Sequence, residues 1–485
     1  MTLSSSLSNA LSGLTAASRA AEVVSSNIAN AMTEGYARRE IQLSSRSLDG
    51  SGAGVTIEGV LRLVDSRTLS DRRQAEAAVA ESAASADAWT RIESAIGLPG
   101  DSGSLTDRIN AFESALLSAA SRPDESSRLD QAAAAAVSLA DGINAVSNEL
   151  QSMRMDADSD IANMVERLNS GLTRVEELNR RISDLSLQGR DASSLLDERQ
   201  RIVDGISRIV PVQQIPRDRG QISLYTTGGG ILLDGTAAEF GFQQTGTITP
   251  YMSVDDGALS GLTLNGNALR IGGTHDPVAG GELAAAFTIR DEIAPGIQVG
   301  LDAMARDLIE RFQDPGLDAT VASAGAGLFT DGNTAFDVAD ELGLAARISV
   351  NSAVDPAGAG ESWRLRDGIG AGAAGQSGNA TLLQACAERL AEDRIAVSGL
   401  SAGLSRSAAE LVSDILSTAS TGQIAAEDDQ AFQRARYDAL AVKEAENGVD
   451  SDDELQKLLL IEQAYAANAR MMQAIDQMMQ QLLEI

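Results

Sequence analysis

A mainly α-helical fold with a β insertion, α+β in class, follows from three features of this 485-residue sequence. Both ends carry apolar stripes at heptad spacing. The stretch from Asp124 to Leu187 has no proline and only two glycines, Gly142 and Gly171. A central stretch instead alternates at strand period between Gly, Asn and Asp turns. The expected arrangement is paired terminal coiled-coil helices, a body of long bundled helices and a central antiparallel hairpin sheet.

At the front, Leu3, Leu7, Ala10, Leu14, Ala17, Ala21, Val24 and Ile28 are spaced alternately by four and three residues. That spacing keeps one stripe facing a partner helix. At the back, Leu458, Ile461, Tyr465, Asn468, Met472, Ile475, Met479 and Leu482 do the same. Each stripe needs a cover, so the termini are expected to pair, with each other or with neighbouring copies. An ordinary intramolecular bundle is the plainer alternative. Asn468 sits inside its stripe, where a buried amide fixes register and an amide turned to solvent does not.

Between the ends the pattern changes several times. Residues 1–59 read as the N-terminal helix and a linker, Ser/Gly-rich over 44–58 with a short strand. Residues 60–211 read as helical body, with breaks at Gly97–Gly103 and Pro123. If unbroken, the proline-free stretch spans about 95 Å at ~1.5 Å per residue. Residues 212–290 hold short alternating runs such as QISLYTTGGGILLDG, an antiparallel β subdomain. Helix returns over 291–320, with a break expected near Pro295. Residues 321–379 form a Gly/Ala-rich loop with short strand-like pieces, RISVNSAV and SWRLRDG. Residues 380–446 are helical again, with interruptions expected near Gly399–Gly403 and Gly422. Residues 447–485 form the closing helix.

Composition narrows the function classes. The net charge of -31 argues against nucleic acid, whose binding needs a basic face, and against anionic lipid. Aromatic residues make up 3% of the chain, so the core must be built from Ala, Leu, Ile, Val and Met. The only cysteine, Cys386, and the only histidine, His275, cannot make a disulfide framework or a zinc site. Cys386 reads as a core residue of an amphipathic helix and His275 as a surface-loop residue. No apolar run approaches the ~20 residues of a membrane span, and the first residues lack the pattern of a cleaved signal peptide.

Signals that resemble chemistry have plainer readings. Gly370, Gly372 and Gly375 match the spacing of a dinucleotide loop, but in a Gly/Ala run without a βαβ unit. Gly228–Gly230 lacks the Lys of a P-loop and reads as a hairpin turn. Asp452, Asp453 and Glu454 open the last helix, where negative charge suits the helix dipole. No catalytic residues, cofactor site or metal site is expected, and the chain reads as a non-enzyme.

One stretch is far more specific. The segment SSNIANAMTEGYARREIQL, Ser25 to Leu43, resembles the hallmark of the flagellar axial family of rod, hook and hook-associated proteins. Asn27, Ile28, Ala29, Asn30, Thr33, Gly35 and Tyr36 match it, and Glu34 stands where proline is frequent. The C-terminal IEQAYAANARMMQAIDQMMQQLLEI resembles that family's closing helix at Gln463, Tyr465, Ala466 and Ala469. Three internal stretches, Arg122–Leu150, Ser194–Val212 with GGGILLDG, and Gly280–Ile309, resemble the hook-associated branch. Gln200 departs from an acidic residue usual in the second. The resemblance covers nearly all of the chain except about 321–347.

The resemblance implies a structural subunit of the hook–filament junction, needed for filament assembly and motility. Its partners would be further copies in a ring or tube, hook protein, the neighbouring hook-associated junction protein and an export chaperone on the C-terminal segment. Its location would be the extracellular flagellum, reached through type III export without signal cleavage. An outer β-domain often found in this family is expected to be absent or reduced to a loop near 330–347, since too few residues follow Phe329 to build one. Other axial subunits, of rod or hook type, and a cytoplasmic coiled-coil scaffold are the alternatives.

Overall fold

A computed structural model describes residues 3–48, 51–273, 276–322 and 325–483. Helix α1 (Leu3–Ala29) leads into a hairpin of β1 (Arg39–Leu48) and β2 (Ser51–Arg62). Helices α2 (Ser66–Ile96), α3 (Leu105–Ser121), α4 (Ser126–Leu187) and α5 (Ser193–Ile209) follow. Strands β3 (Val212–Pro216), β4 (Ile222–Thr226), β5 (Ile231–Asp234) and β6 (Thr236–Ala237) form one antiparallel sheet in that order. Strands β7 (Phe240–Gly241), β8 (Thr263–Leu264) and β9 (Asn267–Ala268) form a second, so the central insertion holds two small sheets. Helix α6 (Gly281–Thr288) continues through a π turn (Ile289–Ile293) into α7 (Ala294–Gln313). Then come β10 (Phe329–Asp331), β11 (Ile348–Val350), α8 (Arg364–Asp367), α9 (Thr381–Ala391), β12 (Arg394–Ile395), β13 (Ser405–Arg406), α10 (Ala408–Ala445) and α11 (Ser451–Leu483).

Helix α4 organises the body. Its 62 residues extend roughly 93 Å at ~1.5 Å per residue. Its first half, from Leu129 to Met153, lies in one hydrophobic core with α3, α7, α9 and the start of α10. Its second half, from Ile161 to Val175, lies in another with α5 and the central sheets. Aromatic rings are few, and three of them meet in the first core: Phe112, Phe312 and Phe329 have centroids 5.3 to 6.0 Å apart. Two buried arginines tie the loop over 249–260 to α4. Arg154 donates to the carbonyls of Thr249 and Met252. Arg290, in the π turn, pairs with Asp158 at 2.6 Å and donates to the Ser260 carbonyl.

Several expectations change. Residues 44–58 are no linker with one short strand but most of a long hairpin, in which Leu43 faces Ile57 and Ser45 faces Val55. Pro295 does not break its helix, because it falls in the first turn of α7, where its missing N–H has no intrahelical partner to lose. Gly422 does not interrupt α10, since its missing side chain makes room for the Trp89 ring; a Cβ there would lie 2.6 Å from that ring. The SWRLRDG stretch is not a strand and carries the short helix α8. The region after Phe329 has no core of its own among the described residues. Leu328, Phe329, Leu344, Ile348 and Val354 are packed into the core of α3, α4 and α7. His275 lies outside the described residues.

Cys386 is 5% exposed within α9, and burial pushes its thiol up to about 12. The thiolate is the reactive form. Native protein at pH 8 should therefore react with an aromatic disulfide reagent only as fast as it unfolds. Labelling within seconds, before any loss of helical signal, would contradict this packing.

Candidate functional site: where the chain ends meet

Helices α1 and α11 pack against each other, and β2 packs on another side of α1. The predicted N-terminal stripe is partly buried: Val24 is 6% exposed, with Leu7, Leu14, Ala21 and Ile28 half-buried. Ala16, Ala20 and Val23 are also buried, residues that a single-stripe reading misses because the hairpin supplies a second contact face. On α11, Ile475 is 2% exposed and Leu458, Ile461, Asn468 and Met472 are half-buried. Tyr465 and Met479 stay exposed in the single chain, against the expectation that they lie in the seam. The side chains of Leu3 and Leu482 lie outside the described residues. Asn468 packs over Gly13, where a Cβ would come within 2.8 Å of its amide. That amide donates to the Ala464 carbonyl of its own helix at 3.0 Å.

The motif after α1 builds a joint. Asn27 is fully buried and uses all of its hydrogen-bonding capacity. Its Nδ2 donates to the Arg39 carbonyl at 2.9 Å and to Glu454 Oε2 at 2.8 Å. Its Oδ1 accepts from the Tyr36 hydroxyl at 2.9 Å and from the Arg39 N–H at 3.0 Å. Asn30 holds the exit turn: its side chain donates to the Ser26 carbonyl, and its own carbonyl accepts from Thr33 N–H at 2.9 Å. Thr33 Oγ1 donates to Asn30 Oδ1. Gly35 has φ of +74°, and a Cβ there would also collide with Arg201 Cγ. Ile28 is half-buried and Ala29 exposed.

Glu454 is what the sequence reading missed. It is 1% exposed, and its Oε1 accepts from Arg38 Nε at 3.0 Å and from Lys457 Nζ at 3.1 Å. Asp452 and Asp453 are exposed in the first turn, capped by Asp450, as a helix-dipole role requires. Glu454 is instead a buried anion, paired and hydrogen-bonded on both oxygens. Its position three residues before Lys457 was the available signal.

A second carboxylate fixes the hairpin root to the body. Asp197, on α5, accepts from Arg39 Nη2 at 2.5 Å, from Arg62 Nε at 2.7 Å and from the Ala37 N–H. Gln200 accepts from Arg62, so an amide does the work of an acceptor here. The Arg39 guanidinium also covers the Tyr36 ring at 4.7 Å. Beneath, burial lowers the Arg199 guanidinium to about 10, helped by the charges of Arg62 and Arg73. Burial works against the charge on Arg72, but Asp204, Glu444 and Glu76 together raise its pKa above the ordinary arginine value. No group of acidic, His or Cys side chains arranged to hold a metal ion occurs among the described residues.

Three family comparisons match this architecture. Residues 7–36 match "Flagella basal body rod protein" and residues 446–485 match "Flagellar basal body rod FlgEFG protein C-terminal". The chain thus belongs to the flagellar axial proteins. Residues 89–329 match "Flagellar hook-associated protein FlgK helical domain". Within the axial proteins, the chain belongs to the hook-associated protein 1 family. It is 27% identical over 243 residues to flagellar hook-associated protein 1 of Salmonella typhimurium, covering 49% of this chain and 44% of that one. Against the protein of that name from Bacillus subtilis it is 21% identical, covering 98% and 97%. The match to the Salmonella relative thus spans less than half of that protein's length. The solved flagellar hook junction protein FlgK from Burkholderia pseudomallei aligns with a TM-score of 0.43 at 20% identity, covering 54% of this chain and 47% of that one.

Replacing Asp197 with Asn should leave Arg39 and Arg62 without their anion. Breaking such a half-buried pair costs about 3 kcal/mol. Hydrogen exchange should show β1 and β2 opening first. Unchanged protection of the hairpin would contradict the role given to Asp197.

Proposed function

We propose that this chain is a structural subunit of the bacterial flagellum that forms the hook–filament junction, and that it performs no catalysis. One observation carries the reading. Residues 427 positions apart, Asn27 and Glu454, join the two chain ends into one two-helix unit standing on a helical body. Two helices cannot cover all of their apolar surface. Leu11 on α1 and Leu455, Leu459, Leu460, Met471 and Met478 on α11 are all more than 40% exposed. Neighbouring copies in a tube would cover them, with Asn27, Ile28, Ala29, Asn30, Thr33, Gly35 and Tyr36 as the assembly motif.

In this reading the partners are further copies, hook protein on one side and the next hook-associated protein on the other. An export chaperone shields the C-terminal segment beforehand. The protein leaves the cell through the flagellar type III channel and works in the extracellular flagellum. A Gly-Tyr exit locked by Asn27 supports this over a cytoplasmic scaffold, because a plain coiled coil has no use for such a turn. The hook-associated body supports it over rod- and hook-type subunits, whose ends are shared across the axial proteins.

Electron microscopy of a strain lacking this chain tests the assignment. Hooks without filaments, with flagellin shed into the medium and restored by the wild-type chain, are expected. Normal filaments on the mutant cells would overturn it.

A further inference from the structure

Helix α10 carries a second apolar face that the body does not use. Its first third is buried in the core, and beyond Ala419 it packs on α2 alone of the long helices. Away from α2, Ile424 is 60% exposed, Phe432 66% and Val442 63%. The exposed residues Ile424, Asp428, Ala431, Ala435, Ala439 and Val442 are spaced by four, three, four, four and three, so they form one stripe about 27 Å long. The other phenylalanines are buried or half-buried. An aromatic side chain standing free on an alanine-rich stripe is the form of an interface anchor.

The opposite flank of the same helix pair is concave. A groove of about 650 Å³ lies between α10 and α2, floored by Val79, Ala80 and Ala83. It runs on over Ala84 and Ala88 toward α4, where Asp87, Asp156 and Asp160 form its wall. Stripe and groove lie roughly 120° apart around α10 at ~100° per residue. They occupy the same height along the molecule.

Charge distinguishes the two flanks. Arg436 and Lys443, beside the stripe, form no ion pair among the described residues, in a chain where most arginines do. Asp87 and Asp160, on the groove wall, also form none among the described residues. Burial raises the Asp160 carboxyl above its ordinary value, and neighbouring Asp156 and Glu282 add to that. An acidic wall lacking cations faces one way, and cations lacking anions face the other.

We propose that the α10 stripe of one copy docks into the α2–α10 groove of the next copy. Phe432 enters over Ala80 and Ala83, and Arg436 and Lys443 approach the acidic wall. Such a contact joins unlike surfaces, so copies standing parallel are joined head to tail and close into a ring if the rotation closes. This deepens the junction reading and rests on it, because the paired terminal helices hold the copies parallel. It adds a second layer of contact, made by the body.

The test uses the full chain in the strain that lacks it. Phe432→Asp should reduce filament-bearing hooks roughly tenfold or more, while the purified variant melts at the wild-type temperature. Filling the groove with Ala83→Trp should do the same. A chain carrying Ala435→Cys and Ala84→Cys should form copy-to-copy disulfides on isolated hooks, with Cys386 buried and silent. Full assembly by Phe432→Asp, no copy-to-copy disulfide, or a disulfide to a different protein would each overturn the proposal. If the wild-type chain restores filaments and the Phe432 variant does so equally, the docking fails and the junction assignment stands. If cells without the chain already bear filaments, both fail.

Discussion

A single buried carboxylate, Glu454, is the contact on which the arrangement of the ends depends. Removing a carboxylate from water is unfavourable by several kcal/mol unless charges and hydrogen bonds replace the lost hydration. Arg38, Lys457 and Asn27 replace it here. Arg38 and Asn27 belong to the N-terminal segment, so Glu454 is satisfied only when α11 lies against the root of α1. The cost of leaving it unpaired specifies which helices pair and at what height. Apolar stripes alone do not, because a heptad stripe can slip by a whole repeat.

The joint works because its surroundings are stiff. Asn27 spends two of its four bonds on the Arg39 backbone and so fixes the start of the hairpin. Arg39 and Arg62, at the two ends of the hairpin root, converge on Asp197 of α5. Helix α5 packs on α4, and α4 runs through both cores. A chain of ion pairs and backbone bonds therefore leads from the terminal helices to the longest element of the body. Arg72 reinforces it by pairing with Asp204 on α5 and Glu444 at the end of α10.

Much of this was legible in the sequence. Heptad spacing identified both terminal helices, and the absence of proline identified the single long helix α4. The Asn-to-Gly-Tyr motif marked the joint's N-terminal half, and its residues prove to be capping, turning and hydrogen-bonding groups. The partner half was not legible. Glu454 sits beside Asp452 and Asp453, and local sequence cannot tell a buried acid from two solvated ones. Asp197 was hidden for the same reason, since its arginines lie 135 and more residues away. The hairpin was missed because Ser and Gly dominate it, and its few apolar residues gain meaning only when α1 covers them. The outward stripe of α10 was hidden by alanine, which reads equally well as core or as surface.

The most direct test of the account is a double-mutant cycle on the joint, with Asn27→Ala, Glu454→Gln and the pair, each unfolded in urea. The two side chains touch, so the account predicts a coupling energy of about 1–3 kcal/mol, of the size seen for residues in one buried network. A coupling within about 0.3 kcal/mol of zero, as for residues that do not interact, would show that α11 is not held to the N-terminal motif through Glu454.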